Sequence, residues 1–90
     1  MIQSDISKWH RQTFGDGADI FDRIVKKSRE EFGEWMEDLR NPNEIADVAI
    51  CLFAAADRLD FDLLDAVRSK FEVVKSRSDQ IQRDAERGIT

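Results

Sequence analysis

The chain has 90 residues, of which 41% are hydrophobic and 37% are charged, and its formal net charge is −5. This excess of acids argues against binding to a nucleic-acid polymer, which would need a basic face. The single cysteine, Cys51, cannot form an intramolecular disulfide. No transmembrane-length apolar run and no signal-peptide pattern is present, so we expect a cytoplasmic protein without a membrane partner.

The first two predicted elements are helices separated by a glycine turn. Ser4 or Asp5 is expected to cap the first helix, which ends near Phe14. Residues 15–17 form the turn, and the second helix covers about 19–39.

A tight connection leads into the third predicted helix. Asn41 is a favourable N-cap and Pro42 fits the first helical position. This helix should end at Arg58 or Leu59.

The fourth predicted helix begins after Asp60, which we expect to cap it. The polar segment 79–90 is predicted to be a frayed tail. Together the elements predict one all-α domain over residues 1–90, a four-helix bundle. Because a chain of this length buries only a modest fraction of its surface, its core is marginal alone, and we expect oligomerisation to complete the bundle.

The third helix combines an almost purely apolar surface with two acids. Between residues 44 and 56 only Glu44 and Asp47 are polar. A helix that is apolar all round should be buried, and a buried unpaired carboxylate is costly, so a positive partner is expected. The second helix carries another pair at the same spacing, Glu31 and Glu34. Four such oxygen donors suit a hard divalent cation such as Mg²⁺.

Helical projection places Glu31 inside the apolar stripe of the second helix, with Ile20 and Ile24 about 20° to either side of it. Lys27 and Glu34 lie at the edge of this stripe. Glu44 and Asp47 have no solvent face in the same projection. Two simpler interpretations stay open. Glu44 could be a first-turn acid that favours the helix dipole, and the pair on the second helix could be bridged to lysines.

Two cations of the fourth helix project to one side. Lys70 and Arg77 are seven residues apart and lie near the apolar stripe. Cations opposite a cluster of acids suit a polyphosphate bridged by metal. The alternative is that both snorkel at the rim of the stripe.

These residues resemble a known pattern. Glu31-Phe-Gly-Glu34 followed by Glu44-Ile-Ala-Asp47 resembles the ExxE…ExxD signature of the MazG-like all-α nucleoside triphosphate pyrophosphohydrolases. Residues 9–15, 58–61 and 70–77 resemble the short phage and bacterial dATP/dGTP pyrophosphohydrolase branch, and the likeness covers about residues 6–77.

Three features depart from the usual family pattern. The gap from Glu34 to Glu44 is shorter than in typical MazG proteins, although it suits the short branch. Val74 replaces the usual asparagine, and Ser-Asp-Gln stands where an aromatic-Pro segment normally follows Arg77. The base and sugar preference is therefore left open.

The resemblance implies Mg²⁺-dependent hydrolysis of purine deoxynucleoside triphosphates, dGTP or dATP, to the monophosphate and pyrophosphate. A water attacks the α-phosphorus, and Glu34 or Glu31 accepts its proton. Two or three Mg²⁺ ions, or Mn²⁺ in their place, are expected on four metal ligands: Glu31, Glu34, Glu44 and Asp47.

The resemblance also implies contacts to the rest of the nucleotide and an oligomeric enzyme, a homodimer or homotetramer. The expected phosphate-binding residues are Lys27, Lys70 and Arg77. Trp9 is expected to stack on the base, with Gln12 as a polar reader. A plain core tryptophan is an equal alternative for Trp9.

Two other classes of protein remain for comparison. One is a non-catalytic helical oligomerisation module whose acids form salt bridges across a dimer. The other is a carboxylate-bridged di-iron bundle, which needs Glu-x-x-His pairs. The only histidine, His10, belongs to no such pair and is predicted to face solvent, so the di-iron class is effectively excluded.

Overall fold

A computed structural model describes residues 2–86, which form four helices and no strand. They are α1 (Ile2–Phe14), α2 (Ile20–Glu37), α3 (Pro42–Arg58) and α4 (Leu63–Glu86). The helix α3 is central: it packs along α2 and against α1, and it meets α4 over a smaller area. The all-α prediction is confirmed. Within the described residues, no helix is both long and apolar enough to cross a membrane.

The core lies where α1, α2 and α3 meet. Its buried members are Ile6, Ile20, Ile24 and Ala54, and Phe53 and Ala55 pack against them. One chain covers only part of α3, because Ile45, Ile50 and Leu52 are each more than 40% exposed. The apolar surface that predicts burial on every side is therefore only partly covered within one protomer.

The start of α3 follows local capping chemistry. The Asn41 side chain accepts a hydrogen bond from the backbone N–H of Asn43 at 3.0 Å, and Pro42 occupies the first turn. Proline suits this position because a first-turn N–H has no partner within the helix. Both predictions for this connection are confirmed.

The predicted cap of α4 is wrong. Asp60 has a φ of +59° and lies in the left-handed turn that ends α3, where Phe61 N–H donates to Ala56 O. Asp62 caps α4 instead, since its Oδ1 accepts from Asp65 N–H at 2.9 Å. The Gln3 amide then bridges α1 to this turn, bonding to Phe61 O and Leu63 N–H.

Three helix boundaries also differ from prediction. The helix α1 begins at Ile2, before either predicted cap. The helix α2 ends at Glu37 because the chain turns there, with Asp38 N–H donating to Trp35 O. The helix α4 continues through most of the predicted tail to Glu86, while residues 87–90 lie outside the described part of the chain.

The molecule is extended for its length. Its radius of gyration is 17.4 Å, against about 12 Å for a compact chain of 90 residues. Its accessible surface is 6986 Å², about 1,600 Å² more than a compact monomer of this mass would expose. The helix α4 contributes to this exposure, since it has no buried residue and an exposed apolar stripe: Leu64, Val67, Phe71, Val74 and Ile81.

Candidate functional site

Three of the four predicted metal ligands meet where α2 packs on α3. Glu31 comes from α2, and Glu44 and Asp47 come from the first turns of α3. One carboxylate oxygen from each lies within 4.8 Å of the other two. Glu31 Oε2 and Glu44 Oε2 are buried and have no hydrogen-bond partner among residues 2–86. Buried oxygens of this kind normally have a partner, and none of the described residues supplies one.

Glu31 is the most enclosed of these acids, at 8% exposure, which confirms its place in the apolar stripe of α2. Its other oxygen, Oε1, accepts from Lys27 Nζ at 2.9 Å, one helical turn earlier. This hydrogen bond is the main reason that the pKa of Glu31 is lowered and the pKa of Lys27 is raised. Glu31 is therefore held ionised in the cluster.

The neighbouring glutamates resist ionisation. The pKa of Glu34 is raised, first by its hydrogen bond to Glu31 and then by repulsion from that charge. The pKa of Glu44 is raised, first by burial and then by repulsion from Asp47. Glu34 is exposed and is not one of the three acids whose oxygens lie within 4.8 Å of one another. It lies beside the cluster, on its solvent side.

The burial that the helical projection predicts for Asp47 is wrong. The Asp47 side chain is exposed in the protomer, although the projection predicts that it is buried. The projection treats all of α3 as covered, but within residues 2–86 no other helix buries the Asp47 side chain. Asp47 makes no ion pair or hydrogen bond with any described residue, so neither α2 nor α4 neutralises it.

A cleft of about 230 Å³ joins the acids to α1. Glu31 and Asp47 line it on one side and Trp9 and His10 on the other. Trp9 is 53% exposed, so the core-tryptophan alternative is wrong. The predicted reader Gln12 is exposed and is not among the residues that line this cleft.

His10 is half-buried, so the prediction that it faces solvent is wrong. Its Nδ1 lies 3.0 Å from Nη2 of Arg58, whose side chain is only 7% exposed. The same guanidinium donates to Gly15 O at 2.9 Å and pairs with Asp16. Arg58 thereby ties α1 and the following turn to the end of α3. Its position at the end of an apolar helix was the available sequence signal, but its partners are more than 40 residues away.

The three residues predicted to bind phosphate do not lie together. Lys27 is at the acid cluster, whereas Lys70 and Arg77 lie exposed on α4 and make no ion pair or hydrogen bond with any described residue. A neighbouring cleft of about 320 Å³ holds two cations that the sequence analysis missed, Arg23 and Lys26. It shares three lining residues with the first cleft: His10, Ile24 and Lys27.

Cys51 lines the acid cleft as well. Burial is the main cause that raises the pKa of its thiol, so the sulfur stays protonated. A protonated thiol is a poor metal ligand. The donors available here are therefore carboxylate oxygens, which favour Mg²⁺ or Mn²⁺ over softer ions.

Comparison with known families gives a match over nearly the whole chain. The sequence model of a family described as dATP/dGTP pyrophosphohydrolase matches residues 2–89. That span includes all four helices and every residue of the acid cluster and its cleft. Neither the curated proteins nor the solved structures give a match to the chain.

Proposed function

The chain belongs to the dATP/dGTP pyrophosphohydrolase family. From this premise we propose that it hydrolyses dGTP and dATP and that a bound divalent cation assists the reaction. The products are the nucleoside monophosphate and pyrophosphate. The main support for the cation is the pair of buried, unpartnered oxygens on Glu31 and Glu44. An ionised oxygen without donors is costly to bury, and a bound cation removes that cost.

The donor set fits the proposed ion. Oxygen ligands from Glu31, Glu34, Glu44 and Asp47 would hold Mg²⁺, or Mn²⁺ in its place. When bound, such a cation lowers the pKa of a coordinated water and stabilises charge on phosphoryl oxygens. Three of these side chains already have oxygens within 4.8 Å of one another, so binding needs little rearrangement of the backbone.

Between the two candidate bases, Glu34 is the better proton acceptor. The hydrogen bond from Lys27 lowers the pKa of Glu31, whereas the hydrogen bond to Glu31, and then the Glu31 charge, raise the pKa of Glu34. A base with a pKa closer to neutrality accepts a proton from water more readily. Glu34 is also exposed beside the cluster, where an attacking water can reach it.

The nucleotide would lie across the cleft between the acids and α1. The exposed ring of Trp9 offers a stacking surface for the base, and the acids lie on the opposite wall. Lys27 would give up its contact with Glu31 to a cation and turn to the phosphates. Lys70 and Arg77 would reach the phosphates only across an interface with another copy of the chain, in a homodimer or homotetramer.

The interaction-module alternative has weaker support. Among the described residues only Glu31 of the three clustered acids has an ion pair, and its partner Lys27 comes from the same helix. The module would therefore need cations from a second copy of the chain to pair with Glu44 and Asp47. Membership of an enzyme family also favours catalysis over a purely structural role.

The decisive assay measures pyrophosphate release from a panel of nucleoside and deoxynucleoside triphosphates, with Mg²⁺, with Mn²⁺ and with EDTA. We expect turnover of dGTP and dATP with either metal and none with EDTA. Calorimetry should detect Mg²⁺ or Mn²⁺ binding to the wild type without nucleotide. Failure of both metals to bind or to support turnover would contradict the proposed site.

The α4 cations make a second prediction. Lys70→Ala or Arg77→Ala should lower kcat/KM roughly 5- to 150-fold, because a charged hydrogen bond to phosphate is lost. This factor corresponds to about 1–3 kcal/mol of lost transition-state stabilisation. Metal binding without nucleotide should be unchanged, since neither side chain can ligate a cation.

Lys75→Ala is the matched control on the same helix, because Lys75 already pairs with Glu72 at 2.9 Å. Equal kinetics for all three variants would remove α4 from the active site. Arg23 and Lys26 of the neighbouring cleft would then be the residues expected to neutralise the remaining phosphate charge.

A further inference from the structure

The His10 ring is fixed in one orientation by a buried arginine. Arg58 Nη2 lies 3.0 Å from Nδ1 of His10, and the guanidinium is itself fixed by Gly15 O and Asp16. The ring also packs against Phe14, with centroids 4.8 Å apart. These contacts leave the imidazole little freedom to rotate.

The chemistry of the contact determines the tautomer. A guanidinium has only donors, so Nδ1 must accept with its lone pair. The ring is then neutral, and its single proton is on Nε2. Burial, followed by the Arg58 charge, lowers the pKa of His10, which agrees with a neutral ring.

The remaining donor has no partner within the protein. Nε2 makes no hydrogen bond with any described residue, and it is not among the fully buried unpartnered atoms. His10 lines the acid cleft beside Trp9, and the two ring centroids are 6.2 Å apart. A base stacked on Trp9 would therefore lie close to a donor-only atom.

One hydrogen-bond acceptor is common to the two purines and has no equivalent in pyrimidines. Adenine and guanine both present an acceptor at N7, but they carry opposite groups at position 6. The N3 acceptor does not distinguish purines, because pyrimidine O2 occupies the equivalent place. A lone donor directed at N7 therefore accepts both dATP and dGTP and rejects pyrimidines.

Building on the proposed function, we propose that His10 is the purine-selecting residue, donating from Nε2–H to N7 of a base stacked on Trp9. This role goes beyond the predicted reader Gln12, which is not among the residues that line the cleft. It also gives the buried Arg58 a function, because a ring without this partner could adopt the tautomer that lacks the Nε2 proton.

The test uses 7-deaza-dGTP and 7-deaza-dATP, in which a C–H replaces N7. Wild-type kcat/KM should fall about 3- to 10-fold relative to the natural substrates, as expected for one lost hydrogen bond. His10→Phe should show the same loss with dGTP and no further loss with 7-deaza-dGTP. His10→Gln, which retains an N–H donor, should recover part of the discrimination.

Lys8→Ala, an exposed change on the same helix, should keep the full difference between the two substrates. Equal wild-type kinetics with dGTP and 7-deaza-dGTP would overturn the His10 assignment and leave the proposed function intact. An additional loss with the deaza substrate in His10→Phe would overturn it as well. Absence of any metal-dependent dGTP or dATP turnover by the wild type would overturn both proposals.

Discussion

Asp47→Ala is expected to abolish turnover while the helical content stays unchanged. Asp47 makes no ion pair or hydrogen bond among the described residues, so its removal breaks no contact that stabilises the fold. Mutating a residue that only supports a metal ligand lowers metal affinity or activity about 10- to 100-fold. Loss of the ligand itself should therefore lower activity at least about 100-fold. Pyrophosphate release measures turnover, circular dichroism measures helical content, and calorimetry measures Mg²⁺ affinity, which should also fall.

Glu37→Ala is the control for the change in net charge. It also removes one exposed acid from the α2–α3 region, and Glu37 is not part of the acid cluster. It should retain activity and metal affinity. An Asp47→Ala protein that binds Mg²⁺ and turns over dGTP like the wild type would show that the cluster is not the metal site.

At micromolar concentration the protein is expected to sediment as a dimer or a larger assembly. Only five apolar side chains among residues 2–86 are buried within one protomer, and α4 and one side of α3 remain exposed. The surplus surface of about 1,600 Å² exceeds the roughly 800 Å² that each partner contributes to a standard interface. Because association stabilises the folded state, the thermal midpoint should rise with protein concentration.

Phe71→Asp tests whether α4 takes part in this assembly. Phe71 is 56% exposed in the protomer, so a charge there costs little in an isolated chain but much in a buried interface. Dissociation of this variant is the expected result. Ser78→Asp adds the same charge on a polar position of α4 and should stay assembled. A concentration-independent monomer in the wild type would contradict the assembly prediction.

Local chemistry made much of the helical order predictable. The Asn41–Pro42 start of α3 depends on side chains one to two residues apart, and the position of Glu31 depends only on helical periodicity. Asp60 shows where this reasoning fails: its side chain suits a cap, but the end of α3 needs a left-handed residue there. Choosing between these roles requires knowing where the preceding helix stops.

The cleft was harder to predict because its walls come from distant parts of the chain. The contact between His10 and Arg58 joins residues 48 positions apart. The position of Arg58 at the end of an apolar helix does not indicate which distant residue it contacts. The burial predicted for Asp47 failed because periodicity reports which face is apolar and does not report what covers it. For Lys70 and Arg77 of α4, periodicity likewise shows that they lie near an apolar stripe but not what packs against it.

If the proposed cation binds at the unpartnered oxygens of Glu31 and Glu44, it would also lengthen the life of the protein in a cell. With no ion bound, repulsion among the acids opposes folding, so the empty chain opens more often and is more accessible to proteases. A ligand that binds only the native state adds stability that grows with its free concentration. The abundance of the enzyme would then follow the supply of divalent cation, and chains unable to bind it would be removed first.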